Sequence, residues 1–168
     1  MFSKSVIILT ALQASLLTTE VVAIQNKVCY TFVGPCPTSW HHWGTSCYRV
    51  TEASFPWASA KDECRKSGGI LAVPGSIQEN DFIVTLVSHS VWIDCNDIEK
   101  DGVWDCKENG TVVSYRNWDE KEGVNQREDC AAISRRFGSF RKWHDFTCSD
   151  DYPAVCKLPA TSPHLKKD

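Results

Sequence analysis

Nine cysteines in a chain of 168 residues constrain this sequence more than any other feature. Ahead of them stands the stretch from Met1 to Ala23, with Lys4 near the start, an apolar run from Val6 to Leu17 and Val21-Val22-Ala23 as a small-residue cleavage pattern. That is the layout of a secretory signal peptide over residues 1–23. Gln13, Thr18, Thr19 and Glu20 break the run below the roughly 18 apolar residues that a membrane span asks for. The sequence therefore predicts cleavage after Ala23 and a secreted, extracellular product with no membrane span. In that oxidising setting the cysteines form a disulfide framework. No Cys-x-x-Cys spacing suggests a zinc ribbon or redox motif, and spacing alone cannot choose among the roughly one hundred pairings that eight cysteines permit. The odd count leaves one thiol over.

The length suits one domain with a real core, too short for two. Removing residues 1–23 deletes one positive and one negative charge, Lys4 and Glu20, so the net charge stays at -3. A value so near zero argues against nucleic acid or another bulk polyanion as partner. Asn109-Gly110-Thr111 is a glycosylation sequon in a polar, turn-like stretch where a glycan is accommodated on Asn109.

Along the chain, Trp40, Trp43, Cys47 and Tyr48 mark an opening strand region. A first helix is predicted from about Ser54 or Pro56 to Lys66, with Trp57, Ala60 and Cys64 inward and Gly68-Gly69 ending it. Ser76 with Glu79 forms a capping box for a second helix, whose buried stripe is Ile77, Phe82, Ile83, Leu86 and Val87. After Ser90 the candidates are short strands: Val91 to Ile93, Val103-Trp104, Val112 to Tyr115, Ala131 to Ile133 and Ala154-Val155. Phe137-Gly138-Ser139-Phe140 reads as a hairpin turn before a Trp143 strand. Arg135, Arg136, Arg141 and Lys142 flank that turn; they read as a solvated hairpin, with contact to sulfated or otherwise anionic glycans as the alternative. Two helices followed by many short strands and long loops make an α+β domain.

The segment from Glu128 to Cys156 places Glu128-Asp129-Cys130, Trp143-His144-Asp145, Cys148 and Tyr152-Pro153-Ala154-Val155-Cys156 in one short span. With Cys-Pro-x-x-Trp from Cys36, Gly-x-x-Cys-Tyr up to Tyr48, Trp92-Ile93, Asn96-Asp97, Gly102-Val103-Trp104 and Asn117-Trp118, these residues resemble the C-type lectin domain in its long form. The resemblance covers residues 36–157, leaving 24–35 as an N-terminal extension and 158–168 as a flexible C-terminal tail. It implies a disulfide-stapled C-type lectin-like fold with antiparallel strands and a long loop region, and the pairs Cys36–Cys47, Cys64–Cys156, Cys95–Cys106 and Cys130–Cys148. Cys29 then falls outside the domain, free or joining two chains in a disulfide-linked homodimer.

The resemblance also implies a function: a calcium-dependent carbohydrate-binding lectin for glycans or glycoproteins, of mannose type and in innate recognition. Calcium takes about six to eight oxygens from carboxylates, amides, carbonyls, water and a sugar's vicinal hydroxyls. By family analogy Glu122, Asn125, Glu128 and Asp145 hold that ion and read the sugar, while Asp97, Asp101, Glu128 and Asp129 hold an auxiliary calcium. Two departures stand out. Gly123-Val124 replaces the family's loop proline, and His144 stands where an asparagine would give an amide oxygen; imidazole nitrogen is a poor ligand for a hard cation. The alternative is a C-type-lectin-like protein-interaction module without sugar binding. No nucleophile elbow, phosphate loop or His-Glu-x-x-His helix points to an enzyme.

Overall fold

The computed structural model describes residues 35–135 and 140–161 in full, and the backbone of 21–24, 28–32 and 165–167. These fall into two compact units. In the smaller, strands β1 (Val21–Ile24), β2 (Val28–Phe32) and β12 (Leu165–Lys167) pair antiparallel in the order β1-β2-β12. Cys29 lies on β2, and its side chain is outside the described residues.

The larger unit, Pro35–Thr161, opens with β3 (His41–Trp43) and β4 (Ser46–Val50), then α1 (Trp57–Lys66), β5 (Ile70–Leu71) and α2 (Ile77–Leu86). Strands β6 (Val91–Asn96), β7 (Asp105–Glu108), β8 (Thr111–Val112), β9 (Cys130–Ile133), β10 (Trp143–Phe146) and β11 (Val155–Pro159) follow. One sheet has the order β3-β4-β11-β5 and the other β10-β9-β6-β7-β8, with antiparallel pairing throughout. The α+β, disulfide-stapled architecture is the expected one.

Local chemistry sets the helix ends. The Ser76 hydroxyl accepts the Glu79 amide at 3.1 Å and caps α2 as read, while the Glu79 carboxylate accepts the Gly75 amide at 2.8 Å in place of the reciprocal bond of the box. Helix α1 starts at Trp57 without a side-chain cap and ends where the Gly68 and Gly69 amides turn back to the Arg65 and Cys64 carbonyls at 2.9 and 3.0 Å, a Schellman closure. The inward face of α1 is Trp57, Ala60 and Cys64, as predicted. The face of α2 differs: Ile77 is 45% exposed, whereas Glu79 and Asn80 are buried. The Val103-Trp104 strand is absent, with β7 starting at Asp105, and Val112 to Tyr115 shrinks to Thr111–Val112. Of the Phe137 to Phe140 turn, only Phe140 lies within the described residues.

Two apolar clusters fill the unit. One gathers Tyr48, Val73, Ile83, Val91, Ile93, Ile133 and Trp143; the other gathers Trp57, Leu71, Trp92, Phe146, Ala154 and Cys156. The buried indoles are satisfied: Trp57 Nε1 donates to the Ile93 carbonyl at 2.9 Å and Trp92 Nε1 to the Phe55 carbonyl at 2.7 Å. Four disulfides, Cys36–Cys47, Cys64–Cys156, Cys95–Cys106 and Cys130–Cys148, join the pairs that the resemblance implies. Cys130–Cys148 brackets β10, and Cys64–Cys156 ties α1 to β11, so the segment carrying the site residues is held at both ends.

Candidate functional site

The site is built on β10. Trp118 bridges Trp143 in parallel fashion, with the Trp143 amide donating to the Asn117 carbonyl at 2.8 Å and the Asp119 amide to the Trp143 carbonyl at 3.0 Å. The loop after Asn117 is thereby stitched to the strand that carries His144 and Asp145. Beneath it lies an aromatic floor, with Trp118 4.4 Å from Trp104 and 5.7 Å from Trp143 between ring centroids. The Trp104 indole donates to the Gly123 carbonyl at 2.9 Å, fixing the turn that replaces the proline. No peptide bond is cis among the described residues.

Asn125 links the predicted ligands. Its amide donates to Asp145 Oδ2 at 2.9 Å, and its Nδ2 donates to Glu128 Oε2 at 2.6 Å. Glu122 also acts on the Asp145 carboxyl. Glu122, Asn125, Glu128 and Asp145 are thus brought together, despite the altered turn. Asp145 is 3% exposed, and its Oδ1 is buried without a hydrogen-bond partner. Burial alone would raise this carboxyl, but the Asn125 and Gly123 amides, with Glu122 beside it, outweigh that and hold it below the usual carboxylate range.

His144 is buried beside them. Its Nε2 lies 3.3 Å from Asp119 Oδ2 and its Nδ1 lies 3.2 Å from Glu122 Oε1. Asp119 is a site residue that sequence reasoning missed. The signal was its place directly after Trp118, whose pairing with Trp143 sets Asp119 beside His144.

Of the auxiliary acids, Asp97 feels the charges of Asp129 and Asp101. Asp97 Oδ2 accepts the Gly102 amide at 2.8 Å, and the Asp97 amide donates to the Asp129 carbonyl at 3.1 Å. Asp97 is 3% exposed and its Oδ1 is buried without a partner. Burial raises its carboxyl, the Gly102 amide opposes that, and the charges of Asp129 and Asp101 raise it further. Glu128 is instead engaged with Asn125.

Among the described residues, no three or more His, Cys, Asp and Glu side chains stand in an arrangement that would hold a metal. The chemistry of the donors nonetheless fits calcium: they are hard oxygens, and Asp145 and Asp97 each leave one buried oxygen unbonded, which a cation would satisfy. The Asn125 amide presents its nitrogen to Glu128, so its Oδ1 would have to turn inward to serve as a ligand.

Asn109 sits exposed with φ 49° at the turn between β7 and β8. No helix among the described residues is long and apolar enough to cross a membrane.

The profile of the lectin C-type domain matches residues 53–158. The chain is 34% identical over 131 residues to Snaclec 5 of Bitis arietans, covering 74% of this chain and 83% of the snaclec. It is 30% identical over 128 residues to C-type mannose receptor 2 of Homo sapiens, covering 73% of this chain but only 8% of that receptor. Among solved structures, a calcium-independent type II antifreeze protein superposes with a TM-score of 0.69 at 26% identity, covering 77% of this chain and 97% of that one.

Proposed function

Since the chain belongs to the C-type lectin domain family, a family of binding modules, we propose that it is a secreted, calcium-dependent lectin for glycans or glycoproteins. Glu122, Asn125, Glu128 and Asp145 hold the ion and read the sugar, while Asp97, Asp101, Asp129 and Glu128 hold an auxiliary one. Bound calcium supplies coordination to vicinal hydroxyls of the sugar. The observation that supports this reading is the buried, unpartnered Oδ1 of Asp145, on a carboxyl whose Oδ2 accepts the Asn125 amide while Asn125 reaches on to Glu128. The order of acid then amide at Glu122 and Asn125, and the similarity to a C-type mannose receptor, favour mannose-type ligands. A leader over residues 1–23, as its sequence suggests, and the four disulfides support secretion. Cys29 is free or joins two chains, which non-reducing electrophoresis of the parent and Cys29→Ser reads directly: a monomer in both removes the dimer.

A glycan array with and without a calcium chelator tests the proposal. Calcium-dependent retention on mannose-type glycans is the expected result, together with a higher melting temperature in calcium, because an ion bound only by the folded state stabilises it. A second reading, a lectin-like module for a protein partner without sugar, is favoured by His144, whose ring already lies against Glu122 and Asp119. An array without signal and a melting temperature indifferent to calcium select that reading.

A further inference from the structure

Just before β10 the chain presents a stack of three side chains. The Arg135 guanidinium lies 4.4 Å from the centroid of the Phe140 ring, and the Arg141 guanidinium lies 5.3 Å from the same centroid. Phe140 is nonetheless 47% exposed. Lys142 follows, with its Nζ donating to Asn117 Oδ1 at 3.1 Å. Among the described residues, the acid paired with these three cations is Asp81, with its Oδ1 3.3 Å from Arg141 Nη1. The local excess of positive charge contrasts with a net charge of -3 for the whole chain.

The backbone that presents the stack is strained and held. Arg141 has φ 76°, in the left-handed region that side chains other than glycine rarely adopt. Two amides capture its carbonyl: Asn80 Nδ2 at 3.0 Å and Asn117 Nδ2 at 2.7 Å. Asn80 is fully buried, and its Oδ1 accepts the Trp143 indole at 2.7 Å. A core position on α2 is thus given to a polar residue that fixes the conformation of Arg141. Strain maintained by a dedicated buried partner is a mark of a presented functional group rather than of an idle turn.

We propose that Arg135, Phe140, Arg141 and Lys142 form a second binding face, for sulfate-bearing glycan chains. A guanidinium is planar, and one that lies over an aromatic ring leaves its N–H edges free for paired hydrogen bonds to an oxyanion. The exposed part of the Phe140 ring offers apolar contact to the C–H face of a sugar. Lys142 and Arg141 extend the charge toward the start of β10, so a polymer with repeated sulfate esters meets several cations at once. This face uses none of the calcium-loop residues and holds whether or not the loop binds sugar.

The test is binding of dextran sulfate and of unsulfated dextran to the intact protein in a chelator, which silences the loop site. Dextran sulfate binds and dextran does not. The double variant Arg135→Gln with Arg141→Gln loses on the order of tenfold in affinity, as charge-assisted hydrogen bonds imply. Removing the same charge elsewhere, with Lys66→Gln and Lys107→Gln, changes affinity by less than about twofold, since exposed paired charges contribute little. Phe140→Leu keeps every charge but removes the stack, and weakens binding about two- to fivefold. The proposal is overturned if both double variants weaken binding equally, because net charge alone would then be at work. It is overturned also if vesicles of anionic lipid bind while dextran sulfate does not, or if inorganic sulfate at equal sulfate concentration displaces the polymer completely.

Discussion

His144 Nδ1 lies 3.2 Å from Glu122 Oε1 but makes no hydrogen bond, so a buried imidazole packs directly against the carboxylate of the altered turn. The same ring reaches Asp119 at 3.3 Å through Nε2. The residue that departs from the family's pattern therefore also engages the acid of the altered turn, and the two departures are coupled.

His144→Asn releases Glu122 and adds an amide oxygen in place of an imidazole nitrogen, a poor ligand for a hard cation. Calcium affinity measured by titration calorimetry should tighten by on the order of tenfold, the scale on which partners of metal ligands act. Equal affinities in parent and variant would show that His144 does not occlude the site.

Asp145 makes acid sensitivity predictable. Its folded carboxyl sits below the usual range, where an unfolded aspartate titrates near about 3.9. The stability it contributes is therefore present above about pH 4 and is lost as pH falls through the lower folded value. Urea unfolding in chelator, followed downward from neutral pH, should show that acid limb in the parent and a shallower one in Asp145→Asn. Identical slopes in the two proteins would remove Asp145 as its source.

Much of the fold was legible because its signals are local or covalent. The Ser76–Glu79 box, the Gly68-Gly69 stop and the Trp57, Ala60 and Cys64 face needed only neighbours in sequence. The buried face of α2 was not legible, because Glu79 and Asn80 are polar residues whose partners, Lys157 and Trp143, stand 78 and 63 residues away. Periodicity assigns such residues to solvent and Ile77 to the core, and the structure does the reverse. The same limit hid Asp119, whose part in the site comes from pairing across to β10. Family analogy put Glu122, Asn125, Glu128 and Asp145 in one place, but only the fold tells which atom of Asn125 faces Glu128.

The Glu79–Lys157 pair carries its own prediction. Lys157 Nζ lies 2.9 Å from Glu79 Oε1 and 2.7 Å from Glu108 Oε2, and the Tyr48 hydroxyl donates to Glu79 Oε1 at 2.6 Å. Burial by itself depresses the Lys157 ammonium, but hydrogen bonds to Glu108 and Glu79 outweigh it and leave the group above the usual lysine range. Its contribution is thus complete below about pH 10 and is lost as pH rises through the higher folded value. Lys157→Ala should destabilise the domain by about 3–5 kcal/mol, because it strands a buried carboxylate, whereas Glu79→Leu with Lys157→Met should lie much nearer the parent. Denaturant midpoints decide it: a double variant as unstable as the single one would mean that the pair itself carries the stability.

Gly123 closes the turn that stands where the family has proline, and it does so at φ +77° with its carbonyl on the Trp104 indole. A Cβ added there would lie 2.9 Å from Trp118 Cδ2 and 3.0 Å from Cε2. That ring cannot step aside, since Trp104 and Trp143 pack against it at 4.4 and 5.7 Å. Gly44 serves as the reference, with φ +57° but nothing within 4 Å of its added Cβ, so alanine there carries the backbone penalty alone. Gly44→Ala should cost about 1 kcal/mol, and Gly123→Ala about 1–3 kcal/mol more, from overpacking. Displacing the turn also moves Asn125, whose amide holds Asp145. Gly123→Ala should accordingly weaken both calcium and glycan binding, while Gly44→Ala leaves them unchanged. If the two variants lose equal stability and Gly123→Ala binds as the parent does, the contact with Trp118 does not position the loop.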